Sequence, residues 1–112
     1  MRKTSVTVTP VKKEVHIFVK GKMTIEDARF FIKDYQTKTS SIKGAEYELI
    51  VDCTDMEVLT QDMTDNLTEV MKMYKQTEFK KVTFQVNKSI LKMQLGRIVR
   101  TAGLTQSEIV TI

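Results

Sequence analysis

Hydrophobic positions along this chain change their period several times, and each change marks an element. Over residues 4–8 apolar and polar positions alternate, with Val6 and Val8 on one face, which predicts an edge strand. Pro10 has no N–H to give to a ladder, so it ends that strand or sits in a turn. Over residues 14–20 the alternation is clean: Val15, Ile17 and Val19 point one way, and Glu14, His16, Phe18 and Lys20 the other. A half-buried strand follows, and the short gap predicts a hairpin with the first.

Gly21 punctuates, and the period lengthens. Thr24 is a natural N-cap, with Asp27 three residues on where a capping box wants an acid. Ile25, Ala28, Phe31, Ile32 and Tyr35 share one helical face. Residues 37–41 are expected to break the helix, and Gly44 closes the loop. Residues 47–52, centred on Leu49, Ile50 and Val51, read as a central strand buried on both faces. A second helix is predicted over residues 62–75, with Met63, Leu67, Val70, Met71 and Tyr74 inward. Asp62 and Asp65 at its start and Lys72 and Lys75 at its end complement its dipole. Val82, Phe84 and Val86 form the next strand. A third helix covers residues 90–102 on Leu91, Leu95, Ile98, Val99 and Ala102, and Gly103 suits its C-terminus. Gly96, inside that helix, marks either a close backbone approach or nothing. Residues 109–112 read as a last strand.

The order β-β-α-β-α-β-α-β describes one α/β domain spanning residues 1–112. Strand–helix–strand units favour parallel pairs with right-handed crossovers, and the opening hairpin makes the sheet mixed. The three amphipathic helices must cover that sheet.

Charge adds a feature that periodicity does not show. The net charge of +4 conceals a segregation. Residues 44–71 contain no Lys or Arg and eight acids: Glu46, Glu48, Asp52, Asp55, Glu57, Asp62, Asp65 and Glu69. The segments on either side are each strongly basic, so the field is bipolar. Solvated faces are one reading of this; an acidic patch that meets a basic partner is the sharper one. A single cysteine, Cys53, excludes an intrachain disulfide and fits a reducing compartment. No apolar run approaches the roughly 18 residues that span a bilayer. The basic start lacks the apolar core of a signal peptide. A cytoplasmic protein without membrane contact is expected.

Candidate chemistry is sparse. One histidine and one cysteine leave no structural zinc set, and a carboxylate site would need Asp52, Asp55 and Asp62 to converge; no metal or cofactor is expected. His16 on a strand reads as a structural residue. Cys53 lies among acids, which raise a thiol pKa, and reads as a small buried hydrophobe. The isolated glycines build no phosphate cradle. Asp52-x-Thr54-Asp55 lacks the second aspartate and glycine of the aspartyl phosphatases. No base–nucleophile pair can be named, so an enzyme is not expected. Lys88, Lys92, Arg97 and Arg100 form a basic set on the third helix, an alternative site for an anion or nucleic acid. It has no interleaved aromatics, and a solvated helix face is the favoured reading.

Three stretches together resemble a known family. A strand ending in GKMT leads into a capped helix. The segment LIVDCTDMEVLTQDMTDNL runs from an apolar strand through Asp-x-Thr into a helix. A last helix closes with Ala102-Gly103-Leu104 before a short strand. This resembles the STAS domain of bacterial anti-sigma factor antagonists over nearly the whole chain. In that family the loop after the central strand presents a phosphorylatable serine, as Asp-Ser-Ser/Thr-Gly-Leu, to a kinase–anti-sigma factor. Here the corresponding segment is Thr60-Gln61-Asp62-Met63-Thr64. The serine position falls on Gln61 or Asp62, and Met63 replaces the glycine. Asp62 mimics a phosphate only in part, because a phosphate carries nearly two charges and three acceptor oxygens. Thr60 and Thr64 remain as acceptors out of register. The resemblance implies a non-catalytic regulatory module that binds a protein partner, anti-sigma factor-like or another regulator. Its expected surface is Asp55, Glu57, Thr60, Gln61, Asp62, Thr64 and Asp65, without a serine phosphoswitch. A homodimer joining the acidic segment of one copy to the basic third helix of another is the alternative.

Overall fold

The computed structural model describes residues 3–112; Met1 and Arg2, on which the reading of the N-terminal start partly rests, lie outside it. Eight main elements follow in order: β1 (Thr4–Thr9), β2 (Glu14–Gly21), α1 (Ile25–Thr39), β3 (Glu48–Met56), α2 (Gln61–Thr77), β4 (Lys81–Val86), α3 (Ser89–Ala102) and β5 (Ser107–Thr111). A single 3-10 turn, Gly44–Glu46, precedes β3. The sheet order is β1-β2-β3-β4-β5, antiparallel at β1–β2 and parallel thereafter. The fold is therefore the mixed α/β sheet expected, with β1 at an edge and β3 in the middle.

Strands laid down in sequence order have a consequence for the helices. Each crossover steps one place in the same direction, and right-handed crossovers then put α1, α2 and α3 on one face. Burial follows that rule. Val15, Ile17, Leu49, Val51, Cys53, Val82, Phe84 and Val86 face the helices and are buried. His16 on the other face is exposed, and Phe18, Ile50, Asp52, Thr83 and Gln85 are half-buried. This corrects the reading of β3 as buried on both faces. Its Leu-Ile-Val run alternates like any strand of a one-sided sheet, and Ile50 lies on the bare side.

Other boundaries also move. β3 continues through Thr54 and Asp55 to Met56. α1 runs through the expected break at residues 37–41 to Thr39. Thr37 and Thr39 turn their hydroxyls back to the carbonyls of Lys33 (2.9 Å) and Tyr35 (2.7 Å), and Thr39 is buried. Ile25, expected on the inner face, is exposed at the first helical position. β5 begins two residues earlier than expected and ends before Ile112.

The core is aromatic at its centre. Phe31, Tyr35, Tyr74, Phe79 and Phe84 form a chain of ring contacts with centroids 5.5 to 6.5 Å apart. Thr77 Oγ1 donates to Met73 O at 3.2 Å, so the 2.6 Å contact with Tyr35 is donated by the phenol. Burial pushes the Tyr35 phenol up to about 12. At the start of α1 the capping box forms as the sequence implies. Asp27 N–H donates to Thr24 Oγ1 (3.2 Å), while Thr24 N–H (2.9 Å) donates to Asp27 Oδ2. Partial burial pushes the Asp27 carboxyl up. The hydrogen bonds from Thr24 and the nearby Lys3 ammonium, 3.2 Å away, outweigh that and hold it below its ordinary value.

Three outcomes follow for stability. Because the Asp27 pKa is lowered on folding, its contribution is present above the unfolded value of 3.8 and is lost as pH falls through the folded one. Asp27→Asn is thus expected to cost about 0.5–2 kcal/mol at neutral pH, with the gap from wild type closing in acid, by urea titration across pH. A Cβ at Gly44 would stand 1.8 Å from Thr77 O, so Gly44→Ala is expected to cost about 3 kcal/mol or more. A Cβ at Gly96 would meet only Ile109 Cδ1 (3.7 Å) and Arg100 Nη1 (3.8 Å), which settles that position as no close approach. Gly96→Ala is expected to gain about 0.5–1 kcal/mol in the same titration.

Candidate functional site

The parallel strands end together at one edge of the sheet, where α1, α2 and α3 begin. The turn from β3 to α2, residues 57–60, lies there. Glu57, Val58, Thr60, Gln61, Asp62 and Asp65 are exposed and Thr64 is half-buried, so the segment is a surface. Asp55 belongs to β3 instead, in register with Lys20 beside a bulge in the β2–β3 pairing, although its side chain is exposed. That shortens the expected acidic loop by four residues, because β3 runs on through Cys53, Thr54 and Asp55 to Met56. Glu57, Asp62 and Asp65 have no cationic partner among the described residues. Asp62 sits in the first turn of α2, where the helix dipole favours it.

The turn is held from several sides. Glu57 N–H donates to Gly21 O at 3.1 Å. Lys88 Nζ donates to Met56 O at 2.9 Å. Gln94, on α3, grips Leu59 with both ends of its amide: Leu59 N–H donates to Oε1 (2.9 Å) and Nε2 donates to Leu59 O (3.0 Å). Thr60 caps α2 by accepting from Met63 N–H at 3.4 Å, and Thr64 Oγ1 donates to Thr60 O at 3.1 Å. The two threonines that remained as acceptors are therefore both engaged locally. Gln94 was missed by sequence reasoning. The only signal was a polar residue between the inward Leu91 and Leu95, at the border of an apolar stripe.

Three apolar side chains are exposed on the two elements that the pinning joins. Val58 precedes the gripped Leu59, and Ile90 and Met93 lie on the first turn of α3, one turn and one residue before Gln94. They are 48%, 57% and 64% exposed. The basic alternative is altered in the opposite sense. Lys88 is the N-cap residue of α3 and spends its ammonium on Met56 O, so among the described residues Lys92, Arg97 and Arg100 remain as the cations on that helix with neither an acidic partner nor a backbone acceptor.

Chemistry elsewhere is confined. Burial and the neighbouring Asp52 push the Cys53 thiol up to about 12. Asp52 Oδ1 accepts from Thr54 N–H (3.0 Å) and Thr54 Oγ1 (2.6 Å), closing that pair on itself. His16 Nε2 lies 2.9 Å from Glu14 Oε1 on the bare face of the sheet. Among the described residues no three His, Cys, Asp or Glu side chains gather as metal ligands, and no helix is long and apolar enough to cross a membrane. Strands in sequence order also leave no point where successive connections diverge to opposite faces, the usual ligand crevice of open α/β sheets.

No protein-family model matches the chain, and no curated protein matches it in sequence. Among solved structures, it is similar to an uncharacterized DUF3478-family protein with a SpoIIAA-like fold from Shewanella loihica PV-4. That likeness has a TM-score of 0.67 at 17% identity, over 97% of this chain and 83% of the other. The fold is thus SpoIIAA-like, the fold of the STAS domain and the anti-sigma factor antagonists, as the sequence resemblance implies.

Removing the Gln94 amide strands two backbone groups of Leu59. Gln94→Met is expected to cost about 1–3 kcal/mol in urea titration, whereas Lys92→Met, on an exposed site of the same helix, stays within about 0.5 kcal/mol.

Proposed function

We propose that this protein is a non-catalytic regulatory interaction module, binding a protein partner through the β3–α2 turn and the start of α2. The observation that carries this reading is the Gln94 grip on Leu59. A two-point amide bond fixes an exposed, acidic, apolar-tipped turn in one conformation, and a turn ordered before binding costs less to dock. The contact residues are Glu57, Val58, Thr60, Gln61, Asp62 and Asp65, with Ile90 and Met93 beside them and Asp55 and Thr64 at the margin. Val58, Ile90 and Met93 supply the apolar centre that interfaces use, and the unpaired acids supply a charged rim. The fold likeness supports the same reading, since the family that the sequence resembles uses the corresponding turn for partner recognition.

Asp62 provides a fixed negative charge where the family presents its serine, so binding does not depend on a serine phosphoswitch. The partner would present basic residues around an apolar contact. The test is affinity capture from native lysate with wild type and with the Glu57→Gln, Val58→Ser, Asp62→Asn, Asp65→Asn variant. Loss of specific partners with an unchanged urea midpoint is expected. The same partners recovered at the same yield would contradict the reading.

A further inference from the structure

The two edges of the sheet are treated differently. On β1, Lys20 N–H donates to Lys3 O, so Ser5, Thr7 and Thr9 pair with β2, and Thr4, Val6 and Val8 turn their backbone groups outward. That edge is guarded. Lys38 Nζ donates to Val6 O at 2.9 Å, ion-paired with Asp34 at 3.2 Å, and α1 packs beside it. A lysine on an edge carbonyl blocks strand addition.

On β5, Val82 N–H donates to Gln106 O and Ile112 N–H donates to Val86 O. Alternation then turns the N–H and C=O groups of Ser107, Ile109 and Thr111 to the outer edge. No side chain caps that edge among the described residues. Glu108, its only acid, is drawn to the bare face by Lys81 at 2.9 Å.

α3 packs above β5. Lys92, Gly96 and Arg100 form a row at intervals of four. A methyl at Gly96 would stand in van der Waals contact with Ile109 Cδ1 and Arg100 Nη1, at 3.7 and 3.8 Å, so glycine keeps the row low where α3 meets β5. Neither Lys92 nor Arg100 has an acidic partner among the described residues. Four residues of helix advance about 6 Å, and alternate residues of a strand are about 6.7 Å apart. An extended segment carrying acid–small–acid at alternate positions therefore matches cation–glycine–cation along α3.

We propose that the free edge of β5, with the Lys92–Gly96–Arg100 row above it, is a strand-addition site for an extended acidic segment of another protein. Backbone bonds to Ser107, Ile109 and Thr111 provide the register, and the row selects the sequence. A second copy of the chain fits less well: pairing β5 with its symmetry mate would bring two cationic α3 flanks together. The site is separate from the β3–α2 turn.

The test is fluorescence polarisation with a labelled, end-capped seven-residue peptide. It has glutamate at its second and sixth positions, alanine at its fourth, and threonine or valine elsewhere. Saturable binding is expected, weakened about tenfold or more by Arg100→Glu and absent for the same peptide with lysine in place of glutamate. Gly96→Leu, which puts a bulky side chain between the two cations, and Ile109→Pro, which removes an outward N–H, are each expected to abolish it. Proline is tolerated at such an edge position, and the Gly96 variant covers the case in which Ile109→Pro does not fold. No binding, equal binding of the lysine peptide, or binding unaffected by both variants would overturn the proposal. A dimer in sedimentation that Ile109→Pro dissociates would also overturn it, assigning the edge to a second copy.

Discussion

The handedness of the crossovers governs this molecule. With five strands laid down in sequence order, three right-handed connections stack all helices on one side of the sheet. One face must then be apolar and the other must tolerate water, which is why Val15, Leu49, Val82 and Phe84 alternate with His16, Ile50, Thr83 and Gln85. The same winding brings the three helix N-termini to one edge, beside the turns that feed them. A turn at that edge is never covered by a following layer. It can be held only by its neighbours.

That is the situation of residues 57–60. Neighbouring elements supply the restraints: Gly21 O from the end of β2, Lys88 from the start of α3, and Gln94 further along the same helix. Three acids without cationic partners would otherwise repel one another and favour a loose loop. The N-terminus of α2 offsets part of that charge, and the amide grip on Leu59 fixes what remains. The result is a pinned, exposed acidic turn, with exposed Val58 in it and exposed Ile90 and Met93 on α3. Its restraints and its exposure together support the proposed recognition role, because a turn already held on folding costs less to dock.

Much of this was legible in the sequence. The period changes place each element, the capping box at Thr24 and Asp27 is written in the residues, and Gly103 ends α3 at positive φ as expected. The errors share a cause. A run such as Leu49-Ile50-Val51 looks doubly buried because periodicity cannot report which face a helix will cover. The threonines at 37 and 39 read as breakers because their back-bonds to Lys33 and Tyr35 exist only once the helix does. At the site, the charge segregation pointed to the segment, but Asp55 joined the ladder because register is a tertiary property. Gln94 lies 35 residues from Leu59, and no local pattern links them. The basic set on α3 lost Lys88 for the same reason.

The central claim is that the β3–α2 turn is an ordered acidic surface before any partner arrives. Backbone 15N relaxation of the free protein tests it most directly. Order parameters of about 0.85 across residues 57–60, matching β3, are the expected result. Values below about 0.6 there, with the strands rigid, would contradict it, because a turn that moves on that timescale is not being held by Gln94.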